Sequence, residues 1–451
     1  MKDCSMSELL AYALIFTLLF TAAATPTAGL TMRADLTHVD KGRGFTRWER
    51  LSRMAVRSRA RAASLYQRGG HYGQPVTATA VPSSGEYLIH FNIGTPRPQR
   101  VALTMDTGSD LVWTQCTPCP VCFDQPFPLF DPSVSSTFRA VACPDPICRP
   151  SSGLSVSACA LKTFRCFYLC SYGDKSITAG YIFKDTFTFM SPNGEGAPPV
   201  AVSGLAFGCG DYNTGVFASN ESGIAGFGRG PLSLPSQLRV GRFSYCLTSH
   251  DETESNKTSA VFLGTPPNGL RAHSSGPFRS TPIIHSPSFP TFYYLSLEGI
   301  TVGKTRLPVD SSVFALKKDG SGGTVIDSGT GVTTFPAAVF EQLKNEFVAQ
   351  LPLPRYDNTS EVGNLLCFQR PKGGKQVPVP KLIFHLASAD MDLPRENYIP
   401  EDTDSGVMCL MINGAEVDMV LIGNFQQQNM HIVYDVENSK LLFASAQCDK
   451  M

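Results

Sequence analysis

Two short turns, each beginning with an aspartate, carry the residues of this chain that could do chemistry. They are Asp106-Thr107-Gly108-Ser109 and Asp327-Ser328-Gly329-Thr330. Each aspartate directly follows an apolar run, residues 101–105 in the first case and 324–326 in the second. The glycine allows a tight backbone turn, and the hydroxyls of Ser109 and Thr330 can donate to carboxylate oxygens. Thr107 and Ser328 can tie each loop to the backbone of the other.

Two carboxylates that face one another can hydrolyse a peptide bond without a metal or a covalent intermediate. One takes a proton from the attacking water while the other protonates the carbonyl oxygen. Like charges at close range cannot both ionise cheaply, so the pair holds one shared proton at acidic pH. A single Asp-hydroxyl-Gly sequence is also a common turn. The interpretation of Asp106 and Asp327 as catalytic therefore depends on the pair.

The order of the motifs around the two turns occurs twice. A strand-like run precedes each turn, at residues 86–93 and 292–302, and an apolar pair before glycine follows each, at 224–226 and 421–423. This order indicates an internal duplication. The 39 Gly and 33 Pro are spread along the chain, which favours many short strands joined by turns. We predict a mainly β fold, with residues 336–350 as the best helix candidate.

A chain of 451 residues is longer than one hydrophobic core usually serves. A segment of mixed Pro, Gly, Ser and His at 264–285 marks the boundary between the two halves. We predict four parts: a signal peptide (1–24), a basic pro-segment (25–78), an N-terminal lobe (79–275) and a C-terminal lobe (276–451).

The first part of the chain indicates secretion and processing. Residues 9–24 are uncharged and end in small residues, which is typical of a cleaved signal peptide; an uncleaved membrane anchor is the alternative. Residues 33–68 contain ten Lys and Arg and three acidic residues, which gives this segment a net charge of +7. Residues 1–32 have a net charge of −1. Because the whole chain is neutral, residues 69–451 have a net charge of −6. This asymmetry favours a pro-segment held partly by charge. A nucleic-acid or membrane arm is the other interpretation.

The cysteines and sequons fit the same compartment. Thirteen of the 14 cysteines lie beyond the signal region, which predicts a disulfide framework. The run Cys116-x-x-Cys119-x-x-Cys122 could instead ligate zinc or an iron–sulfur cluster, although no fourth ligand follows at cluster spacing. Sequons occur at Asn220, Asn256 and Asn358 and are candidate glycosylation sites.

The chain from about residue 82 to its end resembles the pepsin-type aspartic proteases, and among them the nepenthesin-like plant group. The resemblance is carried by both Asp turns with Leu111-Val112-Trp113, by Tyr172-Gly173-Asp174, by Phe207-Gly208-Cys209-Gly210, by Phe243-Ser244-Tyr245-Cys246 and by Ile422-Gly423-Asn424-Phe425. It implies a bilobal fold with the active-site cleft between two similar β lobes.

The resemblance also implies roles for particular residues. Tyr172, Gly173 and Asp174 match a flap that closes over the substrate, with Trp113 packed behind the tyrosine, and residues 116–170 match a Cys-rich insertion. It implies the disulfides Cys116–Cys119, Cys122–Cys209, Cys143–Cys166, Cys148–Cys159, Cys246–Cys448 and Cys367–Cys409. Cys170 is left over from this set, and Lys175 stands where the family's flap commonly has glycine.

The expected function is that of a secreted aspartic endopeptidase that cleaves proteins or peptides at acidic pH. The pro-segment would inhibit the enzyme until acid loosens it and cleavage occurs between residues 68 and 82. We expect a monomer without cofactor, metal, nucleic-acid partner or stable membrane anchor, located in the apoplast, with vacuole and plastid as other destinations. A catalytically silent inhibitor or binding protein is the alternative. A serine hydrolase is disfavoured because no Gly-x-Ser-x-Gly motif occurs.

Overall fold

The computed structural model describes most of the chain beyond the predicted signal peptide, which lies outside the described residues. The described ranges are 31–68, 86–149, 156–172, 176–194, 196–215, 217, 220–249, 259–271, 274–356, 365–371 and 376–451. β-Strands predominate within these ranges, so the prediction of a mainly β fold is confirmed. Within the same ranges, no helix combines the length and apolar character needed to cross a membrane.

In the part of the chain that the structure describes, the largest sheet has 15 strands and includes strands from both halves of the chain. Its order is β13 (Arg279–Pro282), β27 (Lys440–Ser445), β26 (Met430–Asp435), β11 (Arg242–Cys246), β12 (Ser259–Leu263), β1 (Met32–His38), β2 (Tyr87–Ile93), β3 (Gln99–Asp106), β10 (Gly223–Gly226), β4 (Val112–Gln115), β9 (Val200–Thr214), β8 (Ile177–Phe189), β7 (Arg165–Ser171) and β6 (Val156–Ala160), with β5 (Arg139–Ala140) paired to β8.

Three smaller sheets come from the second half of the chain. The first has the order β14 (Tyr294–Leu295), β17 (Thr324–Ile326), β25 (Val420–Ile422), β18 (Thr333–Pro336) and β24 (Ile412–Ala415). The second has the order β16 (Thr305–Arg306), β15 (Leu297–Val302), β20 (Leu382–Leu386) and β21 (Ala389–Asp392). The third has the order β19 (Leu366–Gln369), β23 (Val407–Leu410) and β22 (Glu401–Asp402).

The two halves repeat one local arrangement around the Asp turns. Strand β3 runs parallel to β10, which places Asp106 opposite Gly226. Strand β17 likewise runs parallel to β25, which places Ile326 opposite Ile422. In both cases the strand that leads to an aspartate lies beside the strand formed by an apolar pair and its neighbours. The apolar parts of these strands are buried, which in β3 means residues 101–105.

The predicted pro-segment contributes a strand to the largest sheet. Strand β1 pairs antiparallel with β12 on one side, where Met32 lies opposite Leu263, and with β2 on the other, where Asp35 lies opposite His90. Its side chains alternate between buried and half-buried positions, as expected for a strand with one face in the core. The predicted pro-segment, called the leader below, is therefore integrated into the fold through two ladders of backbone hydrogen bonds.

The longest helix among the described residues, α1 (Arg47–Arg68), also belongs to the predicted pro-segment. Sequence reasoning recognised this segment as basic but did not predict the long helix. The sequence signal was a capping box: the Glu49 side chain accepts from the Thr46 backbone N–H at 2.8 Å, and the Thr46 hydroxyl accepts from the Glu49 N–H at 3.2 Å. Neither Gly nor Pro occurs within the helix, so nothing interrupts it.

One face of α1 packs against the C-terminal half of the chain. Leu51, Met54 and Ala55 are buried in a cluster with residues such as Met411 and Phe425. Ala62 is buried in a second cluster, formed with Phe292, Tyr294, Val325, Met419 and Leu421. The spacing of these residues at three, four and seven positions is that of one helix face.

Two further α-helices are described, α2 (Leu234–Leu238) and α3 (Ala337–Gln350). Helix α3 is the helix predicted at residues 336–350, and it begins one residue later because Pro336 forms its boundary. It buries Val339, Phe340, Leu343 and Phe347 on one face.

Six disulfides are present among the described residues. Two join the partners that the family resemblance implied, Cys246 with Cys448 and Cys367 with Cys409. Cys170 is buried and is in no disulfide with a described cysteine.

The other four implied pairings are wrong. Instead of Cys116–Cys119 and Cys122–Cys209, the structure has Cys116–Cys209 and Cys119–Cys122. The reason is the pairing of β4 with β9, because Thr114 lies opposite Cys209 and the Cys116 N–H donates to the Gly210 carbonyl at 3.1 Å. This brings the Cα atoms of Cys116 and Cys209 to 5.4 Å. Since all three cysteines of the Cys-x-x-Cys-x-x-Cys run are in disulfides, the run does not form the metal site considered above.

The same error occurs within the Cys-rich insertion. Instead of Cys143–Cys166 and Cys148–Cys159, the structure has Cys143–Cys159 and Cys148–Cys166. Cys159 and Cys166 lie opposite each other in the β6–β7 hairpin, but Cys166 is buried and Cys159 is exposed. Cys148 is also buried, whereas Cys143 and Cys159 are not, so the buried cysteines pair with each other.

Candidate active site

The two Asp turns lie face to face and are joined by reciprocal hydrogen bonds. The backbone N–H of Thr107 donates to the Ser328 hydroxyl at 3.1 Å, and the backbone N–H of Ser328 donates to the Thr107 hydroxyl at 2.9 Å. The Ser328 hydroxyl in turn donates to the Met105 carbonyl at 2.9 Å. All of these groups are buried, so each bond would be costly to lose. The result is a pseudo-symmetric connection between the two halves.

Each carboxylate is oriented by its own turn. Asp106 accepts from the Gly108 N–H at 2.9 Å through Oδ1 and from the Ser109 hydroxyl at 2.6 Å through Oδ2. Asp327 accepts from the Gly329 N–H at 3.0 Å through Oδ1 and from the Thr330 hydroxyl at 2.6 Å through Oδ2. Both side chains are almost inaccessible to solvent.

Glycine is required in these turns because the loops approach so closely. A Cβ atom on Gly329 would lie 2.4 Å from Asp106 Oδ1, and one on Gly108 would lie 3.1 Å from Asp327 Oδ1. The first distance is far below van der Waals contact. Each glycine therefore allows the carboxylate of the opposite half to come close to its own turn.

A guanidinium from helix α1 contacts both carboxylates. Arg61 Nη2 lies 2.5 Å from Asp106 Oδ1, and Arg61 Nε lies 2.8 Å from Asp327 Oδ2. Burial by itself would raise the pKa of Asp327, but Arg61 and the donors Thr330 and Gly329 outweigh it and hold that pKa below its ordinary value. Burial opposes the charge of Arg61, yet the two carboxylates raise its pKa, so it stays protonated.

A second ion-pair network lies one helical turn from Arg61. Arg57 Nε donates to Glu86 Oε1 at 2.7 Å, and Arg57 Nη2 donates to Glu86 Oε2 and, at 3.1 Å, to Asp40 Oδ2. His38 Nε2 lies 3.3 Å from Glu86 Oε2. Burial would raise the pKa of Glu86, but Arg57 and His38 lower it to about 2. These contacts join leader residues 38, 40 and 57 to Glu86, which directly precedes β2.

The same network contains three residues of types that can bind a cation. His38, Asp40 and Glu86 bring ligand atoms within 4.8 Å of one another. Arg57 already supplies a positive charge to both carboxylates, which makes the cluster an ion-pair network between leader and body.

Sequence reasoning predicted that leader arginines would lie near acidic groups of the body, but it did not identify Arg57, Arg61 or Glu86. The spacing of two arginines in the sequence was the signal that could have identified them. Arg57 and Arg61 are four residues apart in a helix with a capping box and therefore lie on one face.

Tyr172, the predicted flap tyrosine, contacts Trp113. Trp113 Nε1 donates to the Tyr172 hydroxyl at 2.8 Å, and the Trp113 ring is fully buried. The Tyr172 N–H donates to the Ser176 carbonyl at 2.8 Å. Burial, with Cys170 and Asp106 nearby, raises the pKa of Tyr172, so its hydroxyl stays protonated. Gly173, Asp174 and Lys175 lie outside the described residues.

Of the three sequons, only the one at Asn220 lies in a described range; Asn256 and Asn358 lie outside. Asn220 Nδ2, the atom that would carry a glycan, donates to the Val39 carbonyl at 2.8 Å. The Arg43 guanidinium donates to Asn220 Oδ1 at 3.3 Å. Asn220 is therefore a contact point for the leader in this state.

Comparison with known proteins identifies the family. A family model described as xylanase inhibitor N-terminal matches residues 87–265, and one described as xylanase inhibitor C-terminal matches residues 292–445. The chain is 41% identical to aspartic proteinase nepenthesin-1 of Nepenthes gracilis over 415 residues, which cover 92% of this chain and 89% of the relative. It is 39% identical to nepenthesin-2 of the same plant over 436 residues, which cover 96% of this chain and 93% of the relative.

Solved structures show the same fold at lower sequence identity. Basic 7S globulin from soybean matches with a TM-score of 0.64 and 16% identity, covering 93% of this chain and 99% of that one. The crystal structure of edgp matches with a TM-score of 0.63 and 19% identity, and the match covers 82% of this chain and 98% of that one. The fold is therefore the bilobal pepsin-like one that the resemblance implied. By its matched domains and its nepenthesin relatives, the chain belongs to the pepsin-type aspartic proteases of the nepenthesin-like plant group.

Proposed function

We propose that this protein is a secreted aspartic endopeptidase, made as an inactive precursor, that cleaves proteins or peptides at acidic pH. One observation carries the proposal: a single guanidinium, that of Arg61, contacts a carboxylate oxygen of both Asp106 and Asp327. Both carboxylates are therefore directed at one small volume. When the leader departs, a water in that volume can hydrogen-bond to both of them.

The chemistry follows from this placement. One ionised carboxylate accepts a proton from the water, whose oxygen attacks the peptide carbonyl carbon, while the protonated partner donates to the carbonyl oxygen. The hydroxyls of Ser109 and Thr330 hold the outer oxygens, so little reorganisation is needed during the reaction. Tyr172 and Trp113 would close one side of the cleft.

The leader is proposed to inhibit the precursor by occupying this volume. Arg61 takes the place of the attacking water, and β1 and α1 hold Arg61 there through backbone pairing and apolar burial. An intact leader therefore leaves no room for the scissile bond at the two carboxylates.

Acid weakens this docking, and the sign follows from the depressed pKa values. Glu86 has a pKa of about 2 in the docked state against an ordinary value of 4.5, and the pKa of Asp327 is also lowered. Such carboxylates bind protons more readily when the leader is undocked. The stabilisation of docking by Glu86 is complete above pH about 4.5 and is lost as the pH falls towards about 2, and that of Asp327 is lost in the same direction.

The second candidate function is a catalytically silent inhibitor or binding protein. The descriptions of the two matching family models as xylanase inhibitor domains favour it. The presence of both aspartates, with both sets of supporting hydroxyls, favours the protease.

The test is cleavage of a denatured protein substrate across the acidic range by acid-treated recombinant precursor. Pepstatin and an Asp106→Asn variant serve as controls. The proposal expects acid activity that both controls abolish. A folded, processed protein without activity would refute it and favour the binding function.

A further inference from the structure

The hairpin formed by β6 and β7 ends in a rigid tip at residues 161–165. The N–H groups of Thr163 and Phe164 both donate to the Ala160 carbonyl, at 3.0 and 2.8 Å, and the Phe164 carbonyl accepts from the Cys143 N–H at 3.1 Å. The disulfides Cys143–Cys159 and Cys148–Cys166 connect both strands of the hairpin to the preceding loop. These hydrogen bonds and disulfides connect the tip to the rest of the insertion, while its outer surface is exposed.

That outer surface presents two large apolar side chains. Leu161 is 80% exposed and Phe164 is 69% exposed, the highest values among the large hydrophobic residues that the structure describes as exposed. Two exposed apolar side chains within one five-residue tip are more informative than scattered single ones.

The backbone of Phe164 strengthens this point. Phe164 has a φ of +52°, a left-handed conformation that is uncommon for a bulky residue and suits Gly or Asn. Its ring is exposed and so contributes little to the core. Folding alone would favour a different residue here, which indicates that the ring has another use.

The tip is also basic. Lys162 and Arg165 are both exposed, and residues 156–171 contain no acidic residue. This contrasts with the net charge of −6 carried by residues 69–451. Each cation directly follows one of the two apolar residues in sequence, so the cations can contact an anionic surface while the apolar groups enter it.

We propose that the tip, residues 161–165, docks reversibly on an anionic phospholipid surface. Leu161 and Phe164 would enter the boundary between headgroups and acyl chains, and Lys162 and Arg165 would pair with lipid phosphates. A tip of five residues is much shorter than the roughly 20–30 residues that each partner contributes to a stable protein interface. A sugar could stack only on the ring of Phe164, whereas Leu161 and Phe164 can both enter the acyl region of a membrane, so lipid is favoured over polysaccharide.

The proposal does not depend on proteolysis. Strand β7 connects the tip at Arg165 to the flap residue Tyr172, which follows its other end, so the docking surface and the cleft are separated by the length of that strand. Loss of activity and loss of lipid binding can therefore be measured independently.

The test is co-sedimentation of the full precursor with vesicles of phosphatidylcholine alone or mixed with phosphatidylserine. We expect binding to the mixed vesicles, reduced at least about tenfold in Leu161→Ser/Phe164→Asn and reduced also in Lys162→Ser/Arg165→Ser. The matched control is Val313→Ser/Val348→Ser, which removes two other exposed apolar side chains and should bind as the parent does. Because Asn tolerates a positive φ, Phe164→Asn should fold normally, and thermal unfolding checks this.

Three results would overturn the proposal. The first is no binding to either vesicle, and the second is binding that the tip variants leave unchanged. The third is binding to an acidic polysaccharide such as polygalacturonate, without binding to vesicles.

Discussion

Replacement of Arg61 by glutamine should release the leader at a higher pH. Arg61 is 12% exposed and pairs with two carboxylates that are at most 2% exposed. Removal of one partner from such a buried group costs about 3–5 kcal/mol, because the remaining charges stay buried. Asp106 and Asp327 can reduce the cost by sharing a proton, so we take about 3 kcal/mol, or roughly a hundredfold in the docking equilibrium.

This free energy converts into a pH shift. Docking weakens by about 1.4 kcal/mol per pH unit for each proton that undocking takes up. With one or two protons taken up, the loss of about 3 kcal/mol raises the pH of half-maximal activation by roughly one to two units. Activation here means the first appearance of cleavage activity from intact precursor.

The assay incubates intact precursor at a series of pH values and measures the initial rate on a quenched peptide. Arg59→Gln is the matched control, since it removes the same charge from the same helix and Arg59 has no carboxylate partner among the described residues. Both variants lose the altered residue with the leader, so fully processed enzymes should have equal kcat/KM. An unchanged half-activation pH in Arg61→Gln, or an equal shift in Arg59→Gln, would refute the reasoning.

Three further predictions concern the leader network, the Asp turns and the disulfides. Glu86→Gln should also raise the half-activation pH, because the depressed pKa of Glu86 represents about 3 kcal/mol of docking that is present above its ordinary pKa and lost on acidification. Ser328→Ala should lower the free energy of unfolding of the processed enzyme by about 1–3 kcal/mol, because a buried N–H loses its acceptor; urea unfolding measures this. Cys116→Ala/Cys209→Ala should lower stability by about 4 kcal/mol, as expected for a loop of 93 residues, and peptide mapping of the unreduced parent should recover that pair.

Each of these predictions has a control and a contrary outcome. Glu341→Gln removes an exposed carboxylate from a surface ion pair and should not change activation; a Glu86→Gln variant that behaves like it would contradict the role of the network. Ser133→Ala alters an exposed serine and should cost less than Ser328→Ala. A peptide map that joins Cys116 to Cys119 would show that the observed pairing is wrong.

The sequence was sufficient where chemistry and local pattern act over a few residues. The two Asp turns could be recognised because hydrolysis by paired carboxylates needs the same residue types twice, each after an apolar strand. The mainly β fold followed from short apolar runs ended by Gly, and helix α3 from its Pro boundary and periodicity. The motifs around Asp106 and Asp327 also sufficed to indicate the family.

Other features depended on contacts between residues far apart in the chain. The predicted disulfide partners were wrong at Cys116 and Cys143 because strand pairing and burial, which spacing does not reveal, determine which sulfurs meet. Thr46 and Glu49 marked the start of α1, but they could not show that this helix packs against the second half of the chain.

The position of Arg61 was likewise a product of tertiary structure. The leader contains ten Lys and Arg residues, and its composition does not show which of them reaches the active site. Only the insertion of β1 into the sheet and the burial of Met54 and Ala62 determine which arginine reaches the two aspartates, because a buried charge is stable only where the folded chain places its partners.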